Sequence, residues 1–533
     1  MLENSWQETL KSLFHCELKS LFPLARHLNR ELYFFVGPTN SGKTYEAFEE
    51  LKASDCGVYL APLRLLALEG YERLNSQNIS TSLITGEEEL LNDDASYLCS
   101  TIEMLDFSLE VDTIVIDEVQ MIDDRDRGWA WVNAIIGAPA RKVIMTGSVN
   151  ALKAVQQLSK YLDEPVHIRK FERKNPLRIS SSPVNLSNLE DATALIAFSR
   201  GEVLRLKQKL SKQYSVSIIY GNLSPEVRKL EAKRFREKQT QILIATDAIA
   251  MGLNLPIKTI AFTTDEKFDG VSRRKITTNE ILQIAGRAGR FGIEDEGFVA
   301  GVSHTIHKNI KEKFQGSMPT IKPPFVVKAS PLQIATISKH LGTNNLRKIL
   351  EFYATNIKFD GPFVAANIDS MLQASKYVDQ KNLELETKFI LSQAPLTINS
   401  PKILTTYKHY LHLFETSQKI RYFPPKKFKT STNDDRLLLD AEDEIKLISL
   451  YLWLGFKFKD KFIDFETAYN TRIEINNFIE LSLKKGIKIQ EITHDKKESF
   501  PKKPRNETAP KQKPKPQEKT KKSQKSSFKS YRR

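Results

Sequence analysis

Residues 37–44 run Gly37, Pro38, Thr39, Asn40, Ser41, Gly42, Lys43, Thr44, which fits the pattern G-x-x-x-x-G-K-S/T; the apolar run ELYFFV precedes them and the helical pattern YEAFEELKAS follows. The glycines let the backbone curl until its N–H groups point at phosphates. Lys43 is then placed to neutralise β- and γ-phosphates, and the Thr44 hydroxyl to ligate Mg²⁺. Further on, TIVIDEVQ sets Asp117 and Glu118 at the end of an apolar strand. Two adjacent carboxylates there divide the labour, Asp117 holding Mg²⁺ and Glu118 polarising the attacking water. A carboxylate aimed at water implies hydrolysis. The sequence has no guanine-reading Asn-Lys-x-Asp and no recognisable pocket for a phosphoryl acceptor, which argues against GTPases and small-molecule kinases.

A second constellation is QIAGRAGRFG, residues 283–292, far downstream of the carboxylates. Arg287 and Arg290 are three apart, and the spacing predicts that both lie on one side of a helix. If that helix faces the nucleotide across an interdomain cleft, Gln283 and Arg287 contact the γ-phosphate and Arg290 stabilises the transition-state charge. The bland alternative is a basic helix packed through Ala285, Gly286, Ala288 and Gly289.

Short β-branched runs alternate with amphipathic helical patterns as far as about residue 305. The candidate strands are 32–36, 57–61, 113–116, 142–147, 194–198, 216–221, 241–246, 258–264 and 298–302. The weak stretch FERKNPLRISSSP divides them, which predicts an α/β fold with two tandem parallel-sheet domains, 31–170 and 171–325, after an N-terminal helical segment, 1–30. Helical spacing dominates 326–495, an α-helical C-terminal region. From 496 to 533 the chain lacks the apolar content to order itself and reads as a disordered basic tail.

The net charge is +15, but fifteen Lys/Arg against three Glu lie in that tail, leaving 65 basic and 62 acidic residues elsewhere. Overall basicity therefore says little about a groove in the folded part. No window approaches the ~18 apolar residues of a membrane span. Cys16, Cys56 and Cys99 lack metal-ligand spacing, which suits a reducing compartment. The acidic N-terminus fits neither a secretory signal nor a transit peptide.

Taken in order, GPTNSGKT, APLRLLALE, CSTIEML, DEVQMI, TGS, ATDAIAMGLNLPI and QIAGRAGRFG follow the motifs of superfamily 2 helicases. The wording of GPTNSGKTYEA, LAPLRLLALE, TGEE and DEVQMIDDRDRGWAW resembles, more narrowly, the suppressor-of-Var RNA helicases. LYLWLGFKFKDKF (450–462) is similar to that family's C-terminal helical module. The resemblance implies two RecA-like domains clamping ATP and Mg²⁺, with single-stranded or overhang-bearing RNA crossing their top. By position it assigns RNA-backbone contacts to Arg64, Thr101 and Thr246 and coupling to Thr146 and Ser148. It assigns nucleotide response to Asp247, Gly252 and Asn254. It further implies 3′-to-5′ travel and, because that family is best known from the mitochondrial degradosome, an exoribonuclease partner.

Expected location is the cytoplasm of a bacterium, with the mitochondrial matrix as the alternative. Two other functions stay open: an ATP-gated RNA-binding clamp or nuclease-recruiting scaffold, and a DNA or RNA/DNA-hybrid helicase. The tail, with Phe500, Phe528 and Tyr531 among its cations, reads either as a nonspecific RNA-capturing arm or as a solubilising extension. Neither polarity nor oligomeric state follows from the residues themselves.

Overall fold

The apolar run ELYFFV forms β1 (Glu31–Val36), buried over most of its length because strands flank it on both sides. The structure, a computed structural model, describes residues 15–250, 252–269, 272–289, 295–396, 400–416 and 419–486. The expectations for residues 1–14, Arg290 and the basic tail lie outside the described residues.

The first domain continues through α1 (Lys43–Lys52), β2 (Gly57–Ala61), α2 (Arg64–Asn75), β3 (Thr81–Ile84), β4 (Glu89–Leu90), β5 (Tyr97–Thr101), β6 (Val111–Ile116), α3 (Gly128–Gly137), β7 (Ala140–Gly147), α4 (Leu152–Leu162) and β8 (Val166–Lys170). These build an eight-stranded sheet in the order β4-β3-β5-β2-β6-β7-β1-β8. All pairings are parallel except β3 with β4. Because β6, β7 and β1 are neighbours, with Ile116 opposite Met145 and Val36 opposite Gly147, the chain segments that follow them emerge together at one carboxyl edge. Ligands of open α/β sheets bind at such an edge.

The second domain holds β9 (Leu177–Ile179), β10 (Thr193–Ile196), α5 (Arg200–Leu210), β11 (Val216–Ile219), α6 (Pro225–Arg236), β12 (Ile242–Ala245), β13 (Thr259–Phe262), α7 (Thr278–Ala285), β14 (Gly297–Gly301) and α8 (His304–Phe314). Its six strands are all parallel, in the order β9-β14-β13-β10-β12-β11. Serine N-caps start the helices that must begin sharply: Ser199 accepts from Glu202, and Ser224 from Val227 with Pro225 next in line.

The region after 326 is mostly helical: α9 (Pro331–Leu341), α10 (Leu346–Asn356), α11 (Asp369–Val378), α12 (Leu385–Leu391), α13 (Pro401–Thr416), α14 (Asp435–Lys457) and α15 (Phe465–Lys485). It is not purely so. Phe325–Val327 pairs with Phe363–Ala365, and His15–Cys16 pairs with Lys358–Phe359. The described part of the expected N-terminal helix is therefore this strand, a 3-10 turn and a single short helix, Pro23–His27.

The α14–α15 hairpin touches both α/β domains. On the second, Arg200 Nε donates to Glu442 at 2.9 Å, Tyr220 donates to the same carboxylate at 2.7 Å, and Lys207 donates to the Leu483 carbonyl. On the first, Arg472 and Ser449 both donate to Glu87, each at 3.0 Å.

Candidate active site

β1 ends at Val36 and the loop curls at once. Gly37 donates its N–H to the Gly147 carbonyl at 3.1 Å, and a Cβ on it would lie 2.3 Å from the Phe171 carbonyl oxygen. Asn40 and Gly42 take φ values of 62° and 89°, the left-handed turns that aim successive N–H groups inward before α1 starts at Lys43. The Lys43 ammonium donates to the Pro38 carbonyl at 2.6 Å. Burial lowers its pKa, and Glu118 and Asp117 partly offset this.

Asp117 is 3% exposed and saturated with donors. Its Oδ1 accepts from Thr44 at 3.2 Å, from the Glu118 N–H at 3.1 Å and from the Thr146 hydroxyl; its Oδ2 accepts from Tyr59 at 2.9 Å. The Trp131 indole fixes the backbone by donating to the Asp117 carbonyl at 2.9 Å. Burial first, and then the charge of Glu118, push the Asp117 carboxyl above its ordinary range, against the pull of Thr146, Tyr59 and Lys43. Glu118 sits at φ 54°, a left-handed conformation costly for a non-glycine residue, which turns its side chain toward the cleft that it lines. Gln120 donates to Glu118 Oε2 and accepts from the Ser148 N–H at 3.1 Å. Thr146 and Ser148 thus both connect to the acidic pair, one directly and the other through Gln120.

A cleft of about 710 Å³ joins these groups to the second domain. Its wall includes Lys43, Asp117 and Glu118 on one side and Gly252, Asn254 and Arg287 on the other. The Asn254 side-chain oxygen is buried there without a partner among the described residues. The domains meet closely beside it. Asn40 donates to the Gly286 carbonyl at 2.7 Å, and a Cβ on Gly286 would lie 2.8 Å from Thr39 Cβ.

One expectation needs correcting. Arg287 is not on a helix: α7 ends at Ala285 with Gly286 as its cap. The chain leaves the helix so that Ala288 can bridge to Ile257 and Gly289, at φ 62°, can donate to the Ile257 carbonyl at 2.8 Å. Arg287 reaches the cleft from this turn, its Nε donating to the Ala250 carbonyl at 2.9 Å. Burial lowers its pKa, opposed by Glu118 and then Asp117, so the guanidinium and the acidic pair share one electrostatic environment. Gln283, half-buried on α7, does not line the cleft, and Arg290 lies outside the described residues.

The other assigned residues stand apart from the cleft. Asp247 pairs with Lys267 at 2.8 Å. Thr101 and Thr246 are buried, and the Thr246 hydroxyl accepts from the Ala248 N–H at 3.3 Å, a local turn. Arg64 pairs with Glu87 at 2.6 Å, within a cluster that Arg472 and Glu226 complete.

Three contributors went unforeseen. Gln120 stands inside the DEVQ motif and was legible there. Tyr59, on a buried strand, carried no signal. Nor did Arg173, in the polar stretch between domains, whose guanidinium donates to Thr39 at 3.2 Å and Gly286 at 2.9 Å, tying the loop to the turn of Arg287.

Residues 19–171 match the family model described as the DEXQ-box helicase domain of Suv3, 181–292 the helicase conserved C-terminal domain, and 438–485 the ATP-dependent RNA helicase SUV3 C-terminal domain. Similar proteins include the mitochondrial DExH-box ATP-dependent RNA helicase DExH16 of Arabidopsis thaliana, 32% identical over 86% of this chain and 82% of that one. The mitochondrial ATP-dependent RNA helicase SUPV3L1 of Gallus gallus is 31% identical over 87% of this chain, which spans 60% of its length. The DEAH/RHA helicase HrpB of Escherichia coli superposes with a TM-score of 0.46 at 14% identity, over 86% of this chain and 60% of that one.

Proposed function

This chain belongs to the SUV3 family of ATP-dependent RNA helicases, and we propose that it couples ATP hydrolysis to 3′-to-5′ movement along single-stranded RNA and to duplex separation in RNA turnover. The observation that carries this reading is the hydrogen bond from Asn40 to the Gly286 carbonyl: the turn bearing Arg287 rests on the phosphate loop of the other domain. A site built from two bodies is sensitive to their separation, and that converts a chemical step into motion.

In this reading Lys43 and the loop N–H groups hold the phosphates. Thr44 and Asp117 are hard oxygen donors already converging within 3.2 Å, and they fit Mg²⁺, which when bound neutralises phosphate charge. Glu118, steadied by Gln120, orients the attacking water. Arg287 exchanges the Ala250 carbonyl for the transferred phosphoryl group, and its loss of that anchor after hydrolysis lets the domains part. Asn254 offers its buried side-chain oxygen to the nucleotide. Arg64 exchanges Glu87 for an RNA phosphate, with Thr101 and Thr246 contributing hydroxyls once the domains reorient. Such contacts hold a backbone without reading bases.

The relatives' names designate them mitochondrial, which favours the matrix over the bacterial cytoplasm. No described helix is long and apolar enough to cross a membrane. An exoribonuclease partner remains part of the proposal through the family context.

The test is strand displacement on one duplex carrying a 3′ or a 5′ RNA overhang, or a 3′ DNA overhang. ATP-dependent separation confined to the 3′ RNA overhang supports the reading. Hydrolysis without displacement means an ATP-gated clamp or scaffold, and equal use of the DNA overhang means a helicase indifferent to the sugar.

A further inference from the structure

The segment between α13 and α14 contains KIRYFPPKKFKTSTN, residues 419–433, with five cations and no acid. That balance stands out in a folded part that is otherwise near neutral. The segment is pinned along α15 and the turn that leads into it. The Ile420 N–H donates to the Lys461 carbonyl at 2.7 Å, the Tyr422 N–H to Asp464 at 3.0 Å, and the Thr432 N–H to Ser482 at 2.9 Å. The Phe428 ring packs on Phe478 with centroids 5.3 Å apart.

Pinning an extended chain makes its side chains alternate. Ile420 and Tyr422 point inward and are buried, so Lys419, Arg421 and Phe423 share the outer face. Phe423 is 81% exposed, more than any other large apolar side chain among the described residues. Two prolines follow it and stiffen the chain. One exposed apolar residue alone needs no explanation. Its neighbours give it one: among the described residues Lys427 pairs with Asp440 at 2.9 Å, whereas Lys419, Arg421, Lys426 and Lys429 have no carboxylate within ion-pairing distance.

We propose that this strap is an RNA-binding site outside the interdomain groove, where Phe423 stacks on a base of a single strand whose phosphates meet Lys419, Arg421, Lys426 and Lys429. An aromatic platform among cations binds single strands without sequence preference, because every base has a face and every nucleotide a charge. Alternate residues on an extended chain are about 7 Å apart, a spacing that lets Lys419 and Arg421 reach neighbouring phosphates. An acidic protein segment would use the cations and leave the exposed ring idle. The proposal rests on the RNA reading above and adds where part of the strand is held.

The full chain is irradiated with a 30-nucleotide oligouridine carrying 5-iodouridine, and its affinity for the same RNA is measured by fluorescence anisotropy. The expected crosslink falls on the peptide containing Phe423. Phe423→Ala weakens binding at least about fivefold, the low end for losing one stacked base. Phe423→Trp restores it, Phe423→Leu does not, and basal ATPase is unchanged in all three. Crosslinks found only elsewhere, or wild-type affinity in Phe423→Ala, overturn the strap while leaving RNA-dependent ATPase, and with it the helicase reading, intact. Rescue by leucine, or equal displacement of the RNA by polyglutamate from wild type and Phe423→Ala, also overturns it and points to a protein ligand. A wild-type chain that binds no RNA overturns both readings.

Discussion

The Thr44 hydroxyl donates to Asp117 Oδ1 across 3.2 Å, joining the first turn of α1 to the residue that follows β6, 73 residues apart in the chain. Asp117→Asn keeps the shape of that contact and removes the charge. Turnover should fall by at least about 10³-fold, because the oxygen that would hold Mg²⁺ against the phosphates is no longer anionic. Stability should move the other way. Burial and Glu118 raise the Asp117 pKa, so the wild-type carboxylate contributes less to folding as pH rises above the ordinary carboxylate value of about 4. In EDTA the variant should melt above wild type at pH 7, and the gap should narrow as the pH is lowered towards 4. A lower melting temperature throughout would mean that Asp117 is structural.

Among the described residues Arg287 hydrogen-bonds only to the Ala250 carbonyl, through Nε and one Nη, and it lies in the cleft with Lys43 and the acidic pair. Arg287→Ala should leave nucleotide affinity within a few-fold and lower kcat by about 10³–10⁵, the range for a guanidinium that acts on developing phosphoryl charge. Arg287→Lys should recover little, since an ammonium does not present the planar fork. Isothermal titration beside steady-state ATPase checks this. Weakened binding with normal kcat would count against the role.

Gly286→Ala tests the seam itself. Its Cβ would lie 2.8 Å from Thr39 Cβ and 3.0 Å from the Leu282 carbonyl, although the backbone conformation suits alanine well. The second domain should stay folded and stand off from the phosphate loop. ATPase should drop by at least tenfold, with a melting temperature within a few degrees of wild type. Small-angle scattering with a non-hydrolysable ATP analogue should show a wider particle than wild type. Unchanged activity would mean that the two domains need not touch here during turnover.

The phosphate loop, the acidic pair and the central strands were legible because each depends on local chemistry: glycines where the backbone must curl, carboxylates after an apolar run, β-branched residues buried on both faces. Of the edge strands only β11 was legible, and the inner strands β3 and β5 were missed as well. β8 reads VHIRK and is largely exposed, and β9 lies in the polar stretch taken for a divide, because edges carry charge where the middle of a sheet cannot. The helix that stops before Arg287 was hidden for a different reason. Its end is set by Ala288 pairing with Ile257, a contact across 31 residues that no local pattern records. Arg173 was invisible in the same way, since beyond the nearby Asn175 carbonyl its partners are backbone carbonyls of two distant segments.

Lys207 fixes a pH window for the docking of the helical hairpin. It is buried on α5, donates to the Leu483 carbonyl on α15, and burial brings its pKa down to about 8, with Glu231 opposing and Arg234 assisting. An unfolded lysine titrates near 10.4, so between about pH 8 and 10.4 the folded chain sheds a proton that the unfolded chain keeps. Stability therefore rises with pH through that window, by up to about 3 kcal/mol, and loses this contribution as pH falls to about 8, below which the effect is constant. Lys207→Met keeps most of the stem and has no charge to bury. The melting temperature of the variant minus that of wild type should be most positive at and below pH 8 and should fall steadily towards pH 10. A difference that stays flat across this range would mean that the ammonium is not desolvated by the hairpin, and that α15 does not hold this contact in solution.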